Sequence, residues 1–142
     1  MSAAAAGLPP ERLRELEATA VELARLAGAE IRMAFGRTLA VRYKTGSGDE
    51  AARLADPVPE ADQRVEDLLR ERLAERFPDH GITGEEGGER SGGARDTVWT
   101  VDPIDGTSNF VAGFPLFAAS VGVLHRGVPV AGGLLCAEEA GV

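Results

Sequence analysis

Trp99-Thr100-Val101-Asp102-Pro103-Ile104-Asp105-Gly106-Thr107-Ser108-Asn109-Phe110 is the stretch on which the reading of the chain turns. Val98 to Val101 has the β-branched and aromatic character of a strand, and Asp102-Pro103 bounds it. Pro103 biases Asp102 toward an extended backbone, so Asp102 is expected at the mouth of that strand. Asp105 suits a helix N-cap, with a short helix expected from Gly106 or Thr107. The two carboxylates would then converge beside a helix N-terminus, where unpaired N–H groups favour anions. At about 4 Å and an effective dielectric near 20, two such charges repel by about 4 kcal/mol. A divalent cation between them removes that penalty, and an all-oxygen donor set suits Mg²⁺. The plainer alternative is a strand–turn–helix with a capping aspartate, because Asp-Pro turns are frequent.

Working outward, a second acidic stretch precedes it: Ile82-Thr83-Gly84-Glu85-Glu86-Gly87-Gly88. Glycine-flanked carboxylates can reach a shared ion because the backbone there has few steric limits, although such a stretch also reads as a polar surface loop. Upstream, Pro9-Pro10-Glu11 opens a helix whose Leu13, Leu16, Ala20, Leu23, Ala27, Ile31 and Ala34 share a face, with Gly36 as its expected stop. A strand-like piece (39–43) and a polar loop (44–56) are expected next. A second helix starts near Pro59 or Glu60 and ends at Pro78-Asp79-His80-Gly81. Its apolar face carries Val65, Leu68, Leu69, Leu73 and Phe77, and its charged residues, Glu66 and Arg70 among them, read as a solvated face. Downstream, two apolar strands (116–124 and 128–135) flank the turn His125-Arg126-Gly127, and both faces of each are expected to be covered. The order predicts an α+β fold, two helices packed on a largely antiparallel sheet, with 1–10 as a lead and 11–142 as the domain.

Composition narrows the function. The chain has 142 residues, 44% of them apolar and 27% charged, which is a globular composition. A net charge of −8 argues against a nucleic-acid binder, whose affinity rests on clustered Lys and Arg. The longest apolar run, Phe110 to Leu124, is broken by Gly113, Pro115, Ser120 and Gly122, so no membrane span is expected. The N-terminus has no basic region of the secretory kind, and a cytoplasmic location is the expectation. A single cysteine, Cys136, excludes a disulfide framework; its apolar neighbours make it a buried small hydrophobe rather than a nucleophile. Trp99 reads as a core aromatic, and His80 and His125 as turn or surface residues. Gly46-Ser47-Gly48 lacks the Gly-Lys-Ser/Thr ending of a P-loop.

Gly84-Glu85-Glu86, the run Trp99 to Phe110, and Gly113-Phe114-Pro115 together resemble the inositol monophosphatase family of Mg²⁺-dependent, lithium-sensitive sugar phosphatases. Asp56 to Asp62 and the helix after it are similar to the family's Val-Thr-x-x-Asp segment, with Val58-Pro59 standing in place of Val-Thr. The resemblance runs from the first helix onward and corresponds to the N-terminal half of the family's αβαβα sandwich. It implies that Glu85, Asp102, the Ile104 carbonyl and Asp105 bind metal, with Asp102 bridging two ions. It further implies that Glu85 and Thr107 position and activate water, that Asp105, Gly106 and Thr107 form the substrate and phosphate site with the N–H groups of Gly106 and Thr107 holding phosphate, and that Asp62 and Lys44 play secondary parts. The implied substrate is a small phosphorylated polyol or sugar, inositol monophosphate first, and the implied assembly is a homodimer. A histidinol-phosphate or fructose-bisphosphate phosphatase is an alternative. So is a truncated remnant that binds metal or phosphate without turnover, or an interaction domain whose acidic loops bind no metal.

Overall fold

A computed structural model describes residues 7–45, 58–84, 88–90, 95–138 and 141, with every side chain among them except those of 38–45, 58–59 and 88–90. Helix α1 (Pro10–Thr45) starts where the Pro9 carbonyl accepts the N–H groups of Arg12 and Leu13. Its buried stripe is Leu16, Ala20, Leu23, Ala27, Ile31 and Ala34, the three-and-four spacing of the sequence. The helix does not stop at Gly36, and the expected strand at 39–43 is its last turns. A glycine ends a helix by taking positive φ, and Gly36 is not among the glycines that do so. Helix α2 (Val58–Arg76) follows as expected, and Phe77 N closes it on the Leu73 carbonyl.

Strands β1 (Gly81–Gly84), β2 (Gly88–Arg90), β3 (Thr97–Asp105), β4 (Ala118–His125) and β5 (Val128–Cys136) form one sheet in the order β2-β1-β3-β4-β5. Only β1–β3 is a parallel pair, so the sheet is largely antiparallel. The glycine-dense segment after α2, read as a loop, thus supplies β1 and β2. A six-residue helix, α3 (Thr107–Ala112), lies between β3 and β4.

Cross-strand register divides the side chains into two faces. Trp99, Val123 and Ala131 form one row, Val101, Val121 and Gly133 the next, and Ala119 and Leu135 a third. Both long helices cover this face. Gly133 passes so close to α1 that a Cβ would lie 2.5 Å from the Ala20 carbonyl oxygen, so any side chain there would push α1 off the sheet. Phe35, Phe110 and Phe117 close one end of the core with ring centroids about 5 Å apart, in edge-on and tilted contacts. Trp99 is fully buried, as expected of a core aromatic.

The opposite face carries Thr100, Asp102, Ser120, Gly122, Gly132, Leu134 and Cys136. Residues there are half-buried or exposed, and Leu134 is 60% exposed. The expectation that both faces of β4 and β5 are covered therefore fails among the described residues: the helices cover one. Cys136 falls on the open face and is exposed, so it is not the buried hydrophobe expected. No helix of the described residues is long and apolar enough to cross a membrane.

Candidate metal and phosphate site

Asp102 and Asp105 are three residues apart, which on a regular strand would point them to opposite faces. β3 is not regular there. Asp102 pairs with Ser120 and Asp105 with Ala118, so three steps of β3 oppose two steps of β4. This is a β-bulge, with Pro103 and Ile104 both buried inside it. Ser120 and Ala118 share a face, and so do the aspartates opposite them. Both carboxylates are delivered to the open face, Asp102 half-buried and Asp105 exposed. The strand thus continues through Pro103, beyond the end that the sequence predicts; a proline lacks the N–H that regular pairing uses, and a bulge tolerates it.

Gly106 makes the turn from β3 into α3. It is the N-cap residue, at φ 93° and ψ 38°, and α3 has no side-chain cap hydrogen bond. The expectation of Asp105 as N-cap is therefore corrected: Asp105 still belongs to the strand. A Cβ at Gly106 would lie 3.0 Å from the Leu116 carbonyl oxygen, so both conformation and space call for glycine. The Gly106 carbonyl accepts the N–H groups of Asn109 and Phe110 at 3.0 and 3.1 Å. Thr107 donates its hydroxyl to the Ile104 carbonyl at 3.0 Å, closing a ring across the turn. With its proton engaged, that hydroxyl presents lone pairs outward. Asn109 Nδ2 donates to the Leu116 carbonyl at 2.9 Å, and buried Phe110 anchors α3 in the aromatic cluster.

The other sequence candidates are less united. Asp62 is buried at 7% exposure in the first turns of α2, the helix packed on the covered face. Lys44 is in the last turn of α1, and its side chain lies outside the described residues, as do Glu85 and Glu86. Among the described residues, no three His, Cys, Asp or Glu side chains group closely enough to hold one ion. The structure unites Asp102, Ile104, Asp105, Gly106 and Thr107.

Several polar residues are buried where a surface was expected. Glu66 is 0% and Arg70 8% exposed, joined by a 2.8 Å ion pair from Nε to Oε1. The signal was their spacing: Asp62, Glu66 and Arg70 recur every four residues, alongside buried Val65, Leu69 and Leu73. His80 is half-buried, stacks on Phe77 at 4.7 Å, and accepts the Trp99 indole N–H at Nδ1 (2.8 Å). Arg12 Nη2 lies 3.2 Å from Nε2 of the same ring. Burial first, and then the Arg12 charge, push the His80 pKa below its ordinary value. His125 is buried at hydrogen-bond distance, 2.8 Å, from the Thr97 hydroxyl.

The profile of the inositol monophosphatase family matches residues 12–140. The chain is 43% identical over 112 residues to Phosphatase IMPL1, chloroplastic, of Arabidopsis thaliana, covering 78% of this chain and 28% of that protein. It is 37% identical over 124 residues to Inositol monophosphatase 1 of Sus scrofa, covering 84% of this chain and 42% of that one. The solved structure of Mycobacterium tuberculosis SuhB superposes with a TM-score of 0.64 at 36% identity, over 89% of this chain and 41% of that one. The chain thus spans less than half the length of each of these relatives, and within that span it belongs to the inositol monophosphatase family.

Proposed function

We propose that this chain carries the acidic and phosphate-binding part of a Mg²⁺-dependent phosphomonoesterase acting on a small phosphorylated polyol, inositol monophosphate first. The observation that carries the proposal is the bulge that turns Asp102 and Asp105 to one face beside the Gly106–Thr107 turn. The donors gathered there, two carboxylates and the Ile104 carbonyl, are hard oxygens of the kind Mg²⁺ takes. Their chemistry therefore fits the ion, and Glu85, next in sequence after β1, is proposed to complete the set. When bound, the metal would lower the pKa of a water and offset charge developing on the phosphoryl oxygens.

The remaining work falls to the chain. Asp102 and Asp105 hold the charge that fixes the ion's place. The Thr107 hydroxyl, its proton engaged by the Ile104 carbonyl, accepts a hydrogen bond from the attacking water and orients it. N–H groups of Gly106 and Thr107 receive phosphate oxygens, with glycine allowing close approach. Asp62 acts on the water network at the site's edge, and Lys44 contributes positive charge. No protein nucleophile is used, so catalysis rests on positioning and charge stabilisation. We assign the protein to the cytoplasm as a homodimer; Phe114, Leu116 and Leu134, each more than half exposed, supply apolar surface for self-association. Light scattering that finds a monomer at high micromolar concentration overturns that last assignment.

The test is phosphate release from inositol monophosphate with and without Mg²⁺, by this chain and by Asp102→Asn. Release that needs Mg²⁺ and falls to the metal-free background in the variant is expected. Equal release by both proteins refutes the assignment. A second reading is binding of metal or phosphate without turnover. Calorimetric Mg²⁺ binding with no phosphate release would select it.

A further inference from the structure

Glu66 and Arg70 form a buried ion pair on the covered face, among side chains that are otherwise largely apolar. Such a pair is weak support for stability, because desolvating both charges offsets most of their attraction. Its placement suggests another role. The carboxylate of Glu66 rests against Gly84, the last residue of β1: a Cβ there would sit 2.5 Å from Glu66 Cδ and 2.8 Å from Oε2. Glycine at 84 thus makes room for the carboxylate. Gly84 pairs in register with Val101, and Asp102 is the next residue along β3. On α2 itself, Asp62 lies one turn before Glu66, and Arg70 one turn after.

We infer that the Glu66–Arg70 pair is a positioning device that pins the site end of β1 and the first turns of α2 to the strand carrying Asp102. The inference deepens the phosphatase reading and rests on it for the statement that the pinned end is a site. Arg70 holds the carboxylate in one orientation through its Nε contact. The carboxylate in turn fills the space over Gly84 and sets how far α2 stands from β1. Asp62 sits one turn before Glu66 on that helix, and Asp102 follows Val101, the in-register partner of Gly84, so the spacing set at Gly84 bears on the placement of both.

The test uses the full chain with two readouts. The first needs no metal: amide hydrogen exchange of Ile82–Gly84 and Val98–Asp102. The second is the Mg²⁺ concentration at half-saturation by calorimetry. Glu66→Ala is expected to speed exchange at Gly84 tenfold or more and to raise the half-saturating Mg²⁺ at least tenfold. Glu66→Gln keeps the volume and can still accept from Arg70, so it should recover to within threefold. Gly84→Ala should weaken binding alone, but by less than a further twofold in the Glu66→Ala background, because the missing carboxylate leaves room for its methyl group. If Glu66→Ala unfolds the chain, Glu66→Met with Arg70→Met removes both charges while keeping bulk, and the same tenfold changes are expected.

A simple structural role would lower the melting temperature, speed exchange evenly across the sheet rather than at Gly84, and leave the half-saturating Mg²⁺ within twofold, which overturns the inference. Wild-type chain that binds no Mg²⁺ overturns the phosphatase reading instead. In that case the exchange of Gly84 still decides whether the pair holds the strand end.

Discussion

The two faces of the sheet place their acids in opposite circumstances. On the covered face, Glu66 is fully buried and matched by Arg70 within a packed apolar core. On the open face, Asp102 and Asp105 lie beside each other in register with Ser120 and Ala118, half-buried and exposed. A carboxylate buried with its own counter-charge is already neutralised, whereas two like charges on one accessible face leave room for a cation from solution. One strand serves both faces: β3 gives Trp99 and Val101 to the core and Asp102 to the open side, and its bulge brings Asp105 to that side too.

If that division is real, the largest stability effect belongs to the covered face. Trp99→Ala removes a fully buried indole and its hydrogen bond to His80, and should cost about 3–5 kcal/mol. Urea unfolding measures it; a loss under 1 kcal/mol would mean that the core is not centred on β3. Between the faces, at the turn, Gly106→Ala should cost about 1–3 kcal/mol through its positive φ and the nearby Leu116 carbonyl. It should also abolish any phosphate-dependent rise in melting temperature, since the turn is the proposed phosphate cradle. An unaltered rise would separate phosphate binding from this turn.

Helix periodicity was legible because it is local: Leu16 to Ala34 and Val65 to Phe77 repeat at helical spacing, and the β4–β5 hairpin is marked by Arg126-Gly127, both at positive φ. The candidate turn was legible as an Asp-Pro-x-Asp-Gly run. What the sequence concealed is decided by partners distant along the chain. Only pairing with Ser120 and Ala118 makes Pro103 and Ile104 a bulge instead of a strand end. The room that Gly84 leaves for the Glu66 carboxylate likewise lies on a strand beyond the end of α2. The length of α1 was hidden for a simpler reason: an exposed glycine costs a helix about 1 kcal/mol, which a long packed face outweighs.

His80 gives a smaller, pH-dependent test of the covered side. Its Nδ1 accepts the Trp99 proton, so a second ring proton would have to displace that bond. Burial and Arg12 lower its pKa, against the opposing pull of Asp79 and Glu15, with His125 a minor further lowering influence. The unfolded ring titrates near 6.5, so between the lowered native value and 6.5 the unfolded state binds more protons. The contribution is complete above 6.5 and is lost as pH falls through the native value. From pH 7.5 to 5.5 the urea midpoint of the wild type should fall further than that of His80→Gln, whose side chain can still accept the indole proton. Parallel curves would detach His80 from the core.

The smallest effect on stability should come from the open face. Leu134 lies across from Ser120, which is itself opposite Asp102, and is 60% exposed. Because solvent already reaches most of this side chain, Leu134→Ser should change unfolding free energy by no more than about 0.5 kcal/mol. Its influence belongs to association: an exposed leucine beside an accessible strand favours self-contact, and the serine variant should shift any dimer seen by light scattering toward monomer. A loss of several kcal/mol on this substitution would mean that Leu134 is packed in solution, and the contrast between a covered and an open face would then have to be redrawn around whatever packs there.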